Sequence, residues 1–330
     1  MKNIFKNKTI LITGGTGSFG KVALEYCLKL NFKKIIIFSR DELKQFNLQK
    51  KYKNKNLRFF IGDVRDFERL KYAFRDVNYV VHAAALKQVP AAEYNPIEAI
   101  KTNIIGAENI IRSAIENKIE KVMALSTDKA ENPINLYGAT KLCSDKLFVA
   151  ANYYSGGIKT TFSVTRYGNV IGSRGSVFET FKEMIKSKKS FLPITDFRMT
   201  RFWIKINDGV DFVFKNIIRM KGGEIFIPKI PSVKIVDIAR LFQKDIKLKE
   251  IGLRPGEKLH EVLVSKDTSH HSVEFKNYFV IMPEFNFDKK KNFFIDENKE
   301  KGKKLPEDFE YNSLNNPKYL SEKELRKLKY

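Results

Sequence analysis

Two short segments carry side chains whose types and spacing suit proton transfer. In Tyr137-Gly138-Ala139-Thr140-Lys141 a phenol and an ammonium stand four residues apart, so on a helix they share one face and reach a common space. A tyrosine with a pKa near ~10 is a poor base at neutral pH; a neighbouring cation stabilises the phenolate, and Lys141 is the residue placed to lower Tyr137 toward the working range. Upstream, Ser126-Thr127-Asp128-Lys129 closes an apolar, β-branched run. There a hydroxyl, a carboxylate and an ammonium sit at the C-terminal edge of a strand, a set able to accept and donate protons. Either segment alone is weak, since a Y-x-x-x-K recurs on ordinary helices and an Asp-Lys pair often opens a surface loop. Together, one following the other, they point to a single site.

A second constellation suits a dinucleotide. Gly14, Gly17 and Gly20 in Thr13-Gly14-Gly15-Thr16-Gly17-Ser18-Phe19-Gly20 have the spacing G-x-x-G-x-x-G between an apolar run and a helical pattern. Missing side chains let the backbone approach a pyrophosphate at a helix N-terminus. Thr16, Ser18 and Phe19 complete that loop. After the next apolar run comes Ser39-Arg40-Asp41-Glu42-Leu43-Lys44. An acidic residue at this place suits a ribose 2′-hydroxyl, whereas Arg40, with Lys44 one turn on, suits a 2′-phosphate, so NADP is expected in preference to NAD. The plain alternative is that Arg40 faces solvent and Asp41 caps a helix. Asp63-Val64 is placed for the adenine, and Ala83 and Asn103 lie where the chain passes along the cofactor.

The elements that must position these residues follow from apolar periodicity. Strands are predicted at 9–13, 34–38, 57–61, 79–82, 121–126 and 160–166, and helices at 18–30, 41–51, 66–74, 95–117 and 135–154. Strands alternating with helices of this length require parallel pairing through right-handed crossovers. The predicted fold class is therefore α/β, a doubly wound parallel sheet of the Rossmann type. After residue 166 the rhythm breaks at Gly168, Gly172, Gly175, Pro193, Pro228, Pro231 and Pro255. This reads as residues 1–166 forming a nucleotide-binding domain, with later segments recrossing, and 167–330 forming a smaller α/β substrate lobe and a tail extended on the surface.

Composition narrows the function classes. The 330 residues carry a net charge of +23, but the Lys and Arg are dispersed and lack a helix-turn-helix or an aromatic RNA-binding motif, so no nucleic-acid partner is expected. The positive field suits small polyanions. No stretch approaches the ~20 consecutive apolar residues of a membrane span, and the start lacks a cleavable apolar core, which predicts no membrane partner and a cytoplasmic location. Cys27 and Cys143 have no metal-like spacing and read as packing residues. His270-His271 lacks ligand partners, so no metal is expected.

The sequence resembles the extended short-chain dehydrogenase/reductases through the glycine loop, Asp63-Val64, Lys101-Thr102-Asn103-Ile104-Ile105-Gly106-Ala107 and Tyr137-Gly138-Ala139-Thr140-Lys141. Within them, Leu125-Ser126-Thr127-Asp128-Lys129-Ala130 is similar to the inverting UDP-N-acetylglucosamine 4,6-dehydratases. So are Arg166-Tyr167-Gly168-Asn169-Val170, Met199-Thr200-Arg201-Phe202-Trp203 and Arg254-Pro255-Gly256-Glu257-Lys258-Leu259-His260-Glu261. The resemblance spans nearly the whole chain. It implies a lyase that oxidises sugar carbon 4 with bound NADP, eliminates water across carbons 5 and 6, and returns the hydride to carbon 6. Tyr137 would take the 4-hydroxyl proton, with Lys141 on the ribose and Thr127 on the 4-hydroxyl. Lys129 would be the carbon 5 base and Asp128 the acid, or the reverse; as base, Lys129 needs a lowered pKa. Retaining dehydratases carry Asp-Glu at this place, so a retaining dehydratase or a 4-epimerase is the nearest alternative, and a non-catalytic dinucleotide sensor the next. The resemblance also implies Asn169, Val170, Arg174, Thr200 with Arg201, Arg254 and Glu257 as UDP-sugar contacts, Lys87 as a contact of both cofactor and sugar, self-association as a homo-oligomer, and a product used for pseudaminic acid and flagellin glycosylation.

Overall fold

The computed structural model describes residues 4–156, 158–172, 175–243, 245–285 and 291–327. Its frame is a run of strands and helices: β1 (Thr9–Thr13), α1 (Ser18–Leu28), β2 (Lys34–Ser39), α2 (Glu42–Lys51), β3 (Leu57–Ile61), α3 (Phe67–Ala73), β4 (Tyr79–His82), α4 (Val89–Tyr94), α5 (Pro96–Ile100), α6 (Gly106–Glu116), β5 (Lys121–Thr127), α7 (Leu136–Tyr154) and β6 (Thr161–Tyr167). In β1 every residue is buried, as a strand covered by helices on both faces demands. The strands pair in parallel in the order β3-β2-β1-β4-β5-β6, in register from Thr9 opposite Lys34 to Thr127 opposite Tyr167. The order reverses between β1 and β4, and the crevice at that switch point is where such sheets bind ligands.

One expected element differs. The single helix anticipated at 95–117 is α5 and α6 joined by a π-helical turn, Lys101–Ile105. The extra residue of a π turn rotates the side chains that follow, and such turns cluster at functional sites. Here Thr102 and Asn103 are buried, Asn103 between the segment after β4 and Thr140.

Beyond Tyr167 the chain leaves the sheet through β7 (Asn169–Val170), α8 (Val177–Lys186), β8 (Phe191–Ile194) and β9 (Thr200–Ile204). It returns with α9 (Ile206–Arg219), anchored to α1 by the Tyr26 hydroxyl donating to Asp211 at 2.8 Å. Strand β10 (Ile225–Pro228) then pairs in parallel with β6. Next come β11 (Ser232–Lys234), α10 (Ile235–Phe242), β12 (Lys247–Glu250) and β13 (Val262–Val264); after them β14 (Ser272–Glu274), β15 (Tyr278–Ile281) and β16 (Lys303–Lys304) extend the main sheet antiparallel, to ten strands among the described residues. A second, smaller core holds Phe178, Phe181, Leu192, Ile194, Trp203 and Ile238.

The tail is not simply laid on the surface. Leu305, Tyr311 and Ser313 are buried, and the Tyr311 hydroxyl donates to the Ile230 carbonyl at 2.8 Å. Cys27 packs in the core, but Cys143 is exposed, so only the first is a packing residue. No described helix is long and apolar enough to cross a membrane. Among the described residues no group of three or more His, Cys, Asp or Glu side chains converges as a metal site would require.

Candidate active site

A cavity of about 710 Å³ runs along the C-terminal ends of β1, β2, β4 and β5 and under the residues that follow β6. At one end lies the glycine loop. Gly14 has φ +64°, and a β-carbon there would sit 2.9 Å from the Ala83 carbonyl oxygen and the Ala84 nitrogen, so only glycine lets β1 and β4 close together. Gly17, the N-cap of α1, offers no side chain to its N–H groups. A pyrophosphate approaching this helix N-terminus meets backbone and no capping side chain from Gly17, which is the fit a dinucleotide requires. Beneath the loop, the Thr13 hydroxyl accepts from the Ala83 N–H at 3.1 Å and lies 2.8 Å from Nδ1 of His82. Burial lowers His82 to about 3, and the Lys141 charge adds to this, so the imidazole is neutral.

Gly14, Thr16, Gly17, Ser18, Phe19, Gly20, Ser39, Arg40, Asp41, Lys44, Asp63, Val64, Ala83 and Lys87 all border this cavity. Glu42 and Leu43 do not; Leu43 is 68% exposed, because α2 turns that face outward. Asp41 does cap α2, accepting from the Lys44 N–H at 2.8 Å, and its carboxylate also pairs with the Lys44 ammonium. The Arg40 guanidinium lies 3.5 Å from Asp63. Asn103 stands behind the wall. Its amide accepts from the Leu86 N–H at 2.9 Å and donates to the Leu86 carbonyl and to Thr140 at 3.0 Å, tying the segment after β4 to α7.

At the centre, β5 ends in a 3₁₀ turn, Asp128–Ala130. The Thr127 hydroxyl donates to Asp128 Oδ1 at 3.0 Å, and Lys129 Nζ lies 3.0 Å from that same oxygen. Helix α7 starts beside it, capped by Asn135, which accepts from the Gly138 N–H at 2.8 Å. A β-carbon at Gly138 would overlap the Lys129 carbonyl oxygen, which accounts for the glycine between Tyr137 and Lys141. Tyr137, Lys141, Thr127 and Lys129 border the cavity together; Asp128 is fully buried behind Lys129 and does not.

The electrostatics differ from the expectation in two ways. Burial raises the Tyr137 phenol to about 12, and the cation that draws it back down is Lys129, with a hydrogen bond from Thr127. Lys141 is itself lowered by burial, against which the Asp145 carboxylate acts. Lys129 is not lowered as a free base would need. Burial disfavours its charge, but the Asp128 and Glu261 carboxylates outweigh that and raise it, so it is an ammonium. Burial raises the Asp128 carboxyl, with Lys129 opposing and Glu261 adding to the rise.

At the far end Asn169, Val170, Arg254 and Glu257 border the cavity, and Arg254 donates twice to Glu257, each at 2.9 Å. Arg174 lies outside the described residues. Thr200 does not reach the cavity: its hydroxyl is 2.8 Å from Nδ1 of His260 and 2.7 Å from the Ser313 hydroxyl, holding β9 to the tail. The residue beside it, Arg201, does border the cavity, as do Lys258 and Glu261. Arg201 is expected with Thr200, whereas Lys258 and Glu261 stand in a run whose spacing has no periodic signature. Only their charge, in otherwise apolar or turn-like surroundings, marked them.

The chain matches the family model described as polysaccharide biosynthesis protein over residues 10–283. It is 58% identical over 325 residues to the UDP-N-acetylglucosamine 4,6-dehydratase (inverting) of Campylobacter jejuni subsp. jejuni serotype O:2, covering 98% of this chain and 97% of that one. It is 46% identical over 286 residues to a UDP-glucose 4-epimerase of Rickettsia bellii, covering 84% of each. Its fold superposes on the X-ray structure of Pen from Bacillus thuringiensis with a TM-score of 0.89 and 39% identity, covering 98% of this chain and 97% of that chain. With these likenesses running along the same β1-to-β15 frame that carries the Tyr137, Lys141 and Lys129 cluster, the chain belongs to the polysaccharide biosynthesis protein family and, within it, with the inverting UDP-N-acetylglucosamine 4,6-dehydratases.

Proposed function

We propose that this chain is an inverting UDP-N-acetylglucosamine 4,6-dehydratase that works with internally recycled NADP. The observation that carries the reading is the convergence of Tyr137, Lys141, Thr127 and Lys129 on one cavity that is continuous with the glycine loop. A nicotinamide dinucleotide held by the glycine loop and Lys141 would supply hydride chemistry, by which carbon 4 is oxidised and carbon 6 reduced. Tyr137 takes the 4-hydroxyl proton while Lys141 holds the ribose, and Thr127 orients the 4-hydroxyl. A ketone at carbon 4 acidifies carbon 5. Lys129 faces the cavity and acts there as the base, after its proton has passed to Asp128 along the 3.0 Å contact between them. Asp128, raised by burial, suits receipt of that proton; because it does not border the cavity, its proton reaches the departing 6-hydroxyl by way of Lys129. Reprotonation of carbon 5 from the opposite face, as hydride reaches carbon 6, gives inversion.

The substrate's diphosphate and uridine fall to Lys87, Asn169, Val170, Arg254 and Glu257, all on the cavity wall; Arg174 is proposed with them from its sequence position. NADP over NAD rests on Arg40 and Lys44 at the adenosine end. Self-association through the helices beside α7 is supported by Tyr94, Ile97 and Ile105, exposed apolar residues in and around α4 to α6. The reading places the enzyme in the cytoplasm and its 4-keto-6-deoxy-L-arabino product in pseudaminic acid synthesis for flagellin glycosylation.

The test is to incubate the protein with UDP-N-acetylglucosamine in deuterated water without added cofactor and follow the sugar by NMR. Loss of the 6-hydroxyl, deuterium at carbon 5 and an L-configured 4-keto product are expected. A D-configured product would mean a retaining dehydratase, and a galacto isomer would mean the epimerase chemistry named for the Rickettsia relative. Lys129→Ala is expected to stop deuterium entry at carbon 5 while dinucleotide stays bound; undiminished entry would remove Lys129 from the role of base.

A further inference from the structure

The mechanism above uses Lys129 and Asp128, yet a second carboxylate is as close to the lysine as the first. Lys129 Nζ lies 3.0 Å from Asp128 Oδ1, 3.1 Å from Glu261 Oε1 and 3.5 Å from Asn169 Oδ1. An ammonium has three donors, and these three oxygens meet them. Glu261 is nearly fully buried, and among the described residues its other oxygen, Oε2, accepts no hydrogen bond. A buried carboxylate left half satisfied is costly unless a charge holds it. The backbone on either side is pinned: the Glu261 N–H donates to the Ser313 hydroxyl at 2.9 Å, and the Ser313 N–H donates to the Glu261 carbonyl at 2.8 Å.

Glu261 also stands within a line of alternating charges. Arg254 pairs with Glu257 at 2.9 Å, Glu257 with Arg201 at 3.6 Å, Arg201 with Glu261 at 3.7 Å, and Glu261 with Lys129. Arg201 is immobilised by donation to the Thr200, Leu259 and Lys258 carbonyls at 2.7, 3.1 and 2.8 Å. Lys258 donates to the Glu131 carbonyl at 2.6 Å and lies close enough to act on Glu261, Asp128 and Lys129. The groups facing Lys129 are thus Asp128 from the 3₁₀ turn, Glu261, Lys258 and Arg201 from beyond α10 and from β9, and Tyr137 from α7.

Resting on the proposed dehydratase reading, we propose that Glu261 is a positioning residue for Lys129, aiming its ammonium into the cavity and setting where it titrates. Asp128 alone, from the adjacent position on the same turn, draws the ammonium back toward the strand. Glu261 pulls it outward, and the balance leaves Nζ at the wall. Arg201 keeps Glu261 from following the lysine. Removing the Glu261 charge takes an anion from beside an ammonium, which disfavours the charged form and lowers the pH at which Lys129 loses its proton.

The test uses the dinucleotide-loaded protein labelled with 13C at the lysine ε-carbons, the Lys129 signal being identified by its loss in Lys129→Arg. In Glu261→Gln the Lys129 titration is expected to fall by about one pH unit or more. With UDP-N-acetylglucosamine, kcat should fall on the order of 100-fold through misplacement while KM stays within about threefold. An unmoved titration overturns the inference, and so does a raised KM with unchanged kcat, which would make Glu261 a substrate contact. Should Glu261→Gln lose its dinucleotide, Glu261→Asp is read instead: it keeps the charge but withdraws it by one methylene, so a smaller fall in the same direction is expected, and no fall overturns the inference. The lysine titration needs no turnover. Wild-type protein that leaves the sugar unchanged would remove the dehydratase reading, whereas normal dehydration with an unmoved Lys129 in Glu261→Gln would remove this one alone.

Discussion

At the scale of single residues, the site is governed by which charges burial brings together. Lys129 is raised because two carboxylates outweigh its desolvation, and Tyr137 is raised because burial outweighs the Lys129 charge and the Thr127 hydrogen bond. A buried phenol at about 12 is a weak base precursor, so the Lys129 ammonium is as much part of the tyrosine's chemistry as of the sugar's. Arg40 is a different case. Its side chain is 56% exposed and its contact with Asp63 is 3.5 Å, a loose pair that can be given up. Arg40→Ser is expected to weaken NADP binding about tenfold while leaving NAD binding nearly unchanged. Competition of the two dinucleotides for stripped protein measures this; equal weakening of both would place Arg40 outside the 2′-phosphate site.

At the scale of elements, the reacting turn is held by a buried ionic knot on the far side of β5. Arg166 on β6 pairs with Glu131 after the 3₁₀ turn and with Asp145 on α7, the latter at 3.2 Å. Asp145 accepts from the Ser126 hydroxyl on β5 at 2.6 Å, and Glu131 accepts from the Ser265 and Thr268 hydroxyls. Two strands, one helix and the segment after β13 therefore meet at one guanidinium. Arg166→Met is expected to destabilise the fold by about 3–5 kcal/mol, because it leaves two buried carboxylates uncompensated; urea unfolding reads this directly. The pH dependence has a definite sign. Burial would raise Glu131, but Arg166 and the two hydroxyls hold it below its unfolded value of 4.5. Its stabilisation is thus complete above that value and is lost as pH falls through the lower folded one. Without Arg166 that hold is gone, so the variant should unfold in acid at a higher pH than the parent, and coincident acid midpoints would contradict this account.

Over the whole molecule, the doubly wound sheet sets the depth of the cavity and the excess of +23 charges sets the field around it. A positive field concentrates a UDP-sugar and is screened by salt, with a Debye length of ~10 Å at ~0.1 M shrinking to ~3 Å at ~1 M. KM for UDP-N-acetylglucosamine is expected to rise severalfold across that range while kcat changes little, which steady-state assays at the two salt concentrations would reveal. A flat KM would mean that the surface lysines contribute nothing to capture. The antiparallel additions β14 to β16 give the C-terminal segments a second role. Beyond them, Tyr311 and Asn312 pair with β13 and the buried Ser313 exchanges hydrogen bonds with Glu261, which anchors the end of the Arg254–Glu261 segment from behind.

Local sequence alone determined the parallel α/β frame, because β1 to β6 are short apolar runs and the helices between them keep a 3.6-residue period. It also determined the glycine loop and the Tyr137/Lys141 pair, because each is a spacing within one turn or one helix. The π turn inside 95–117 was not legible, since one extra residue in a helix leaves the apolar pattern almost intact. Nor were the inward placement of Asp128 behind Lys129, the outward turn of Leu43, or the use of Thr200 as a tether to the tail. The places of Asp128 and Thr200 depend on segments more than fifty positions away, Glu261 for the one and Ser313 for the other. Glu261 belongs to the same class: charge is visible in a sequence, but whether water or a buried opposite charge answers it is decided only when distant segments close around it.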